Sequence, residues 1–183
     1  MLVSLVPVTA LTASAAAVSN DLVEFVKKFE GFTATCHADN TQYSIGYGTK
    51  CAGSDADHKA GKVHTITETE AKAALDKELQ ESAESVSKFV TKHGLSLSQS
   101  QFEALVSFSY NCGTGWMYAD GLFRQAVLEG KTGNDFLYAI TLWSVGGVGL
   151  ANRRLCEANM YLNGVYSNEV PANYTYVRFN TEG

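Results

Sequence analysis

The longest helical pattern in the chain constrains its fold most. Apolar residues recur every three or four positions from Ala71 to Val90 and form one stripe along a helix face. The preceding Thr67-Glu68-Thr69-Glu70 has the form of a capping box, which starts a helix, and Gly94 is suited to end it. Such a long amphipathic helix needs packing partners along its length. It therefore predicts an element that connects two parts of the fold.

The residues on the two sides of this helix differ in type. Before it, a short helical pattern ends at Glu30-Gly31 and is followed by two strand-like runs, 33–36 and 43–47, with a polar turn between them. After it, helical patterns alternate with glycines as far as residue 162. We therefore predict an α+β fold in which the long helix joins a small N-terminal β-hairpin lobe to a mainly helical C-terminal lobe.

The first twenty residues contain no charged side chain. Small residues at Ala13, Ala15 and Ala17 match the A-x-A form of a signal-peptidase site. A buried N-terminal strand or helix is the alternative, whereas Pro7 and the Ser/Thr content leave the run short of a membrane span. We predict a signal peptide at residues 1–18 and a secreted protein.

Length and charge limit what the rest of the chain can do. The 183 residues, of which 45% are hydrophobic, are enough for one domain with its own core. A formal net charge of -5 provides no basic surface for nucleic acid. We predict one domain at 19–183, with lobes at about 19–66 and 67–165 and an irregular tail at 166–183. We expect it to act as a monomer, without a cofactor and without a membrane or nucleic-acid partner.

The four cysteines fit an oxidising compartment and allow three disulfide connectivities. We favour Cys36–Cys51, which would staple the small β region, together with Cys112–Cys156, which would join two helices. Asn173 begins an N-glycosylation sequon in the tail, which we expect to be exposed.

A zinc site is the competing interpretation of the N-terminal cysteines. Cys36, His37, Cys51 and one of His58 or His64 would supply the ligands. The set lacks a C-x-x-C spacing, and adjacent residues of a strand point to opposite faces, so Cys36 and His37 would diverge. We therefore predict no metal site.

Two carboxylates, Glu30 and Asp39, lie nine positions apart around the predicted hairpin. Phe29 and Phe32 flank Glu30, and an apolar setting favours the protonated form that a general acid requires. Asp39 lies in a polar turn, which favours the ionised form. Two carboxyl groups in such different surroundings are typical of glycosidic bond cleavage. Most carboxylates are solvated surface groups, however, so this pair alone does not identify an enzyme.

The wider pattern resembles a known family. Glu30-Gly31, Asp39 and the run from Tyr43 to Gly48 are similar to the active-site segment of phage-type lysozymes, glycoside hydrolase family 24. Blocks similar to the family's connecting helix, its central helix and its W…GG…GLxxRRxxE signature follow in the family's order, at 66–71, 101–115 and 143–157. Together they span about residues 20–162.

The resemblance implies a lysozyme-like fold and a hydrolase that cuts the β-1,4 bond between N-acetylmuramic acid and N-acetylglucosamine in peptidoglycan. It makes Glu30 the acid that protonates the leaving oxygen, and Asp39 the group that stabilises charge and positions a water. Ser44 stands where the family usually has a threonine that holds this water. The family is expected to invert the anomeric carbon, but the Asp39–Ser44 spacing is one residue shorter than usual, which leaves the stereochemistry open.

Three further polar residues fall within the resembling blocks. One of Arg153 and Arg154 is expected to pair with Glu30, and the other to be a solvated helix charge. Asn111 would either bind sugar or cap its own helix end. Core positions are predicted for the aromatic residues Tyr110, Trp116, Tyr118 and Trp143.

The leader, the cysteines and the sequon together favour a secreted eukaryotic, fungal-like member of this family, acting on bacterial cell-wall peptidoglycan. The alternative is a lysozyme-fold protein that binds glycan without cutting it. The presence of Glu30, Asp39 and Ser44 together favours the enzyme.

Overall fold

The computed structural model describes residues 17–39, 42–53, 57–58, 64–145 and 147–174. The chain divides into two compact units, one formed by Val18–Glu81 and the other by Ser82–Gly183 with Met1–Ala17. The division falls within the long helix, and the predicted lobe boundaries stay a prediction. Residues 1–16 of the predicted signal peptide lie outside the described residues.

The predicted α+β class is confirmed, because a three-stranded antiparallel sheet precedes a long helix and a mainly helical C-terminal part. A short 3-10 helix at Gly115–Met117 lies between the third and fourth helices. No helix of the described residues is both long enough and apolar enough to cross a membrane. In chain order the elements are α1 (Asn20–Glu30), β1 (Thr33–Asp39), β2 (Gln42–Gly46), β3 (Thr49–Lys50), α2 (Glu68–His93), α3 (Gln99–Cys112), α4 (Leu122–Leu128), α5 (Gly133–Thr141) and α6 (Val148–Asn163).

Side-chain caps begin α1 and α2. The Ser19 hydroxyl accepts from the Leu22 amide at 3.2 Å and so caps the start of α1. The capping box at the start of α2 is confirmed. The Glu70 amide donates to Thr67 Oγ1 at 3.2 Å, and the Thr67 amide donates to Glu70 Oε2 at 2.9 Å.

Gly46 ends β2 against the first turn of α2. Its φ of 67° lies in the left-handed region, which favours glycine. A Cβ atom at this position would lie 2.9 Å from the Cβ of Ala71. The close approach of strand and helix therefore requires a residue without a side chain.

The predicted Cys36–Cys51 disulfide is confirmed, with the two Cα atoms 6.2 Å apart. Strand β3 runs antiparallel to β2, and the Cys51 amide donates to the Tyr43 carbonyl at 2.8 Å. The chain thus returns along the hairpin and brings Cys51 back to Cys36. Closing a 15-residue loop stabilises a fold by about 3 kcal/mol in the chain-entropy model. The bond also uses both sulfur atoms that the zinc interpretation requires.

The predicted Cys112–Cys156 disulfide is wrong, because both cysteines are free thiols. Cys112 ends α3 and contacts the guanidinium of Arg154 on α6. Cys156 follows Arg154 by two positions, which is about 200° around a helix, so it faces away from Cys112. Burial raises the pKa of both thiols, that of Cys156 to about 11.

The core of the C-terminal unit is aromatic. Phe108 on α3 contacts the rings of Trp116 and Phe123, and Trp116 is fully buried as predicted. Two other predicted core aromatics are exposed: Tyr118 by 77% and Trp143 by 38%. Both lie next to turns between helices, where local periodicity does not indicate a buried face.

A buried ionic cluster joins α3 to α6. Glu157 is fully buried, and its carboxylate accepts a hydrogen bond from the Ser107 hydroxyl at 2.7 Å. Arg153 Nε lies 3.2 Å from Glu157 Oε1, and Arg154 Nε lies 2.7 Å from Oε2. The two guanidinium groups therefore compensate the burial of this carboxylate.

We expect Gly46→Ala to lower the free energy of unfolding by about 2 kcal/mol or more, because it combines a left-handed backbone with a steric clash. Urea denaturation of both proteins measures this difference. Gly149→Ala is the matched control, since an added Cβ atom there meets nothing within 4 Å and the residue is helical. Equal losses in the two variants would contradict the close-approach argument.

Replacing Glu157 with glutamine should destabilise the protein by about 3–5 kcal/mol, since two buried guanidinium groups then lack their carboxylate. The control is Asp76→Asn, which breaks the more exposed Lys72–Asp76 pair and should cost less than about 1 kcal/mol. Denaturant titration compares the two variants. If Glu157→Gln lowered the free energy of unfolding by less than about 1 kcal/mol, the fold would not depend on this carboxylate.

Candidate active site

The three predicted catalytic residues all belong to the unit Val18–Glu81. Glu30 is the last residue of α1 and is half-buried, and Gly31, with a φ of 69°, turns the chain toward β1. Asp39 is the last residue of β1, and Ser44 lies in the middle of β2. The ends of a helix and of a strand thus present the two carboxylates.

Strand pairing brings four polar side chains to one face of the hairpin. Asp39 is the direct partner of Gln42, and His37 is the direct partner of Ser44. Directly opposed residues of an antiparallel pair project to the same side, and so do residues two apart on one strand. His37, Asp39, Gln42 and Ser44 therefore share a face, which we call the polar face.

The hydroxyl of Ser44 is held by two hydrogen bonds on this face. It donates to Asp39 Oδ2 at 3.2 Å and accepts from Gln42 Nε2 at 3.2 Å. Ser44 is only 1% exposed, so its side chain has little freedom to leave this arrangement. Sequence reasoning did not identify Gln42. Its position two residues before Ser44 on a strand was the available signal.

The opposite face of the hairpin is covered by the disulfide and by aromatic rings. Tyr43 alternates with Ser44 along β2, and the ring of His58 stacks on it with the centroids 4.8 Å apart. His58 Nδ1 lies 3.5 Å from Cys36 Sγ. The covalent and stacking contacts on this side support the polar face from behind.

The last turn of α1 is tied to the start of α2. Lys27 Nζ lies 3.1 Å from Glu24 and 3.6 Å from Glu68, and the Tyr47 hydroxyl donates to Glu68 at 2.8 Å. The hydrogen bond to Glu24 raises the pKa of Lys27, and burial raises the pKa of Tyr47. Lysine charge and tyrosine proton are therefore both retained at neutral pH. These contacts fix the turn that ends in Glu30.

Arg153, Arg154 and Asn111 belong to the other unit, where both arginines are buried. The expectation that one of them is a solvated helix charge is wrong, because both guanidinium groups face Glu157. Arg154 Nη2 also donates to Asn111 Oδ1 at 2.9 Å. The pairing of an arginine with Glu30 and the sugar-binding role of Asn111 stay predictions.

Asn173 is exposed as expected, in a turn where the Tyr174 amide donates to the Pro171 carbonyl at 2.9 Å. The third residue of its sequon, Thr175, lies outside the described residues. Glycosylation of Asn173 stays a prediction.

A protein-family model and two curated relatives match the sequence of this chain. The family model for phage lysozyme matches residues 27–157. The endolysin of Bacillus phage B103 is 33% identical over 158 residues, which are 80% of this chain and 54% of the relative. The endolysin of Bacillus phage PZA is 31% identical over 155 residues, which are 80% and 55%. The chain thus spans about half the length of these curated relatives.

Solved structures share the fold. The endolysin of Escherichia coli O157:H7 phage FAHEc1 has a TM-score of 0.68 and 28% identity, over 81% of this chain and 95% of the other. The muramidase domain of SpmX from Asticaccaulis excentricus has a TM-score of 0.65 and 27% identity, over 79% and 96%. A P22 lysozyme variant, at 21% identity, has a TM-score of 0.62 over 80% and 98%. The lysozyme-like fold is confirmed, and because the family model covers well over half of its length, this chain belongs to the phage lysozyme family.

Proposed function

We propose that this chain is a secreted peptidoglycan hydrolase, a muramidase that cleaves the β-1,4 bond between N-acetylmuramic acid and N-acetylglucosamine. Its family membership supports this function, as do relatives named as endolysins and as a muramidase domain. The observation that carries the proposal is the hydrogen bond from Ser44 to Asp39, supported by Gln42. It is an arrangement that can hold a water beside a carboxylate.

Glu30 is the proposed general acid. Cleavage requires a proton on the glycosidic oxygen as the bond to the anomeric carbon breaks, and a carboxylic acid at the rim of a cleft can supply it. Glu30 ends a helix whose last turn is anchored through Lys27 and Glu68. The backbone that carries its carboxyl group is therefore held in place. A fixed donor is what a positioned proton transfer requires.

Asp39 and Ser44 are proposed to act together on the attacking water. A serine hydroxyl has one donor and two acceptor sites. Its proton goes to Asp39 and one acceptor site is used by Gln42, so the second acceptor site can take a hydrogen bond from the water. Asp39 would accept the water's other proton and stabilise positive charge at the anomeric carbon. An inverted product would require this attack on the face opposite the acid, with the two carboxyl groups about 6.5–9.5 Å apart.

The test of the acid is lysis of Gram-positive cells, followed as loss of turbidity, with the release of new reducing ends measured in parallel. Glu30→Gln should reduce the rate by roughly 10²–10⁴-fold, the usual contribution of a general acid. Asp21→Asn, an exposed carboxylate in the first turn of the same helix, is the matched control and should retain activity. Equal lysis by Glu30→Gln and the unchanged protein would remove Glu30 from the mechanism.

The same assay tests the water site. Ser44→Ala should lower kcat by roughly 10²-fold, as when one preorganised polar contact is lost, whereas Ser44→Thr keeps the hydroxyl and should keep most of the rate. If Ser44→Ala is as fast as Ser44→Thr, the hydroxyl does not hold the water. Glycan binding without new reducing ends, in the unchanged protein, would instead support the non-catalytic alternative.

The Cys36–Cys51 disulfide supports the proposed secretion, because such bonds persist in oxidising compartments. A eukaryotic, fungal-like source stays a prediction. We expect protein recovered from the medium of a secreting host to begin at Ser19, after removal of residues 1–18. N-terminal sequencing checks this, and a secreted product that retains Met1 would contradict it.

A further inference from the structure

A concave site lies in the C-terminal unit, between α4 and α5. It encloses about 220 Å³, and we call it the α4–α5 groove. One wall is a single face of α4 that includes Leu122 and Ala126, and the other is a face of α5 that includes Tyr138 and Ala139. None of these four residues belongs to the proposed catalytic group.

The apolar part of the groove has a deep floor and an open aromatic wall. Ala126 and Ala139 are buried, and their small side chains leave depth between the helices. Tyr138 is 47% exposed and Leu122 is 51% exposed, although the neighbouring Phe136 and Phe123 are fully buried in the core. A large aromatic surface is thus presented to a ligand in the groove.

Polar groups surround this apolar surface. Gln125 and Glu129 project from the α4 side, and Asp135 projects from the first turn of α5. Lys131 Nζ lies 3.2 Å from Glu129 Oε2, so the negative charge of Glu129 is largely balanced by the lysine. Within the part of the chain that the structure describes, Asp135 takes part in no ion pair. The carboxylate of Asp135 and the side-chain amide of Gln125 are the hydrogen-bonding groups that the rim offers to a ligand.

We propose that the α4–α5 groove binds a single saccharide unit of the glycan strand, and this proposal rests on the proposed function for the choice of polymer. A pyranose ring has C–H faces that pack on an aromatic ring and hydroxyl groups at its edge that bond to amides and carboxylates. Tyr138 supplies the first contact, and Gln125 and Asp135 supply the second. The volume, below the range of about 300–1,000 Å³ usual for larger ligands, suits one ring.

Other occupants fit less well. A docked helix needs apolar anchors along several turns, whereas the groove exposes only two large apolar side chains, Leu122 and Tyr138. Two carboxylates at the rim, Glu129 and Asp135, disfavour nucleic acid. A purely apolar molecule would leave the polar rim desolvated without compensation.

A saccharide site apart from the catalytic residues has a defined consequence for a polymeric substrate. A glycan strand offers many equivalent units, so a second contact raises the effective concentration of the strand at the enzyme. Loss of the groove should therefore raise KM on intact cell wall and leave kcat on short soluble oligosaccharides within about twofold.

The experiment uses the full chain carrying Glu30→Gln, so that the ligand is not consumed. The probe is the trisaccharide of N-acetylglucosamine, titrated while backbone amide shifts are followed by NMR. We expect saturable shifts at the amides of α4 and α5, and a Kd for these shifts that is at least tenfold weaker in Tyr138→Ala. Tyr138→Phe keeps the ring and should stay within about twofold, and Tyr118→Ala, an exposed tyrosine outside the groove, should change nothing.

Two results would overturn the groove proposal: no α4 and α5 shifts at millimolar trisaccharide, or an unchanged Kd for these shifts in Tyr138→Ala. Cell lysis by the protein with its native Glu30 separates the two proposals. Lysis without groove shifts rejects the groove alone. Groove shifts without lysis reject the proposed hydrolysis and leave the groove as a saccharide-binding site.

Discussion

The buried carboxylate of Glu157 sets the arrangement of the C-terminal unit. An ion placed in a protein interior must be compensated, and an uncompensated one costs about 3–5 kcal/mol. Ser107 on α3 and the two arginines one turn earlier on α6 provide the compensation. Because these groups come from both helices, the cluster fixes the rotation of α6 against α3. That rotation directs Arg154 toward Asn111 and Cys112 and turns Cys156 away, so two thiols remain where a disulfide is predicted.

In the other unit a small hairpin has to position polar groups without a core of its own. A hairpin of this size is marginally stable in isolation. Successive residues of a strand point to opposite faces, so the hairpin has two different sides. The disulfide and the His58–Tyr43 stack lie on one face. Asp39, Gln42 and Ser44 lie on the other. The face that would meet substrate is therefore supported by a covalent bond behind it.

The proposed catalytic group and the proposed saccharide groove belong to different compact units. The first depends on hydrogen bonds among buried or half-buried groups, which hold a reacting geometry. The second depends on an exposed aromatic ring with a polar rim, which suits weak binding of a repeated unit. A polymeric substrate can use both, since it carries many copies of the same ligand.

The sequence alone determined the features that depend on neighbouring residues. The capping box and apolar stripe specify the long helix, and alternating residues specify the hairpin. The ordered family blocks select Glu30, Asp39 and Ser44 as the catalytic candidates. The burial of Arg153 and Arg154, the failure of the Cys112–Cys156 pairing and the contact of Gln42 with Ser44 appear only in the tertiary structure. These depend on helix rotation and strand register, and distant side chains set both when they meet. A local pattern identifies which face is apolar, but the partner of a buried charge is decided by what packs against that face.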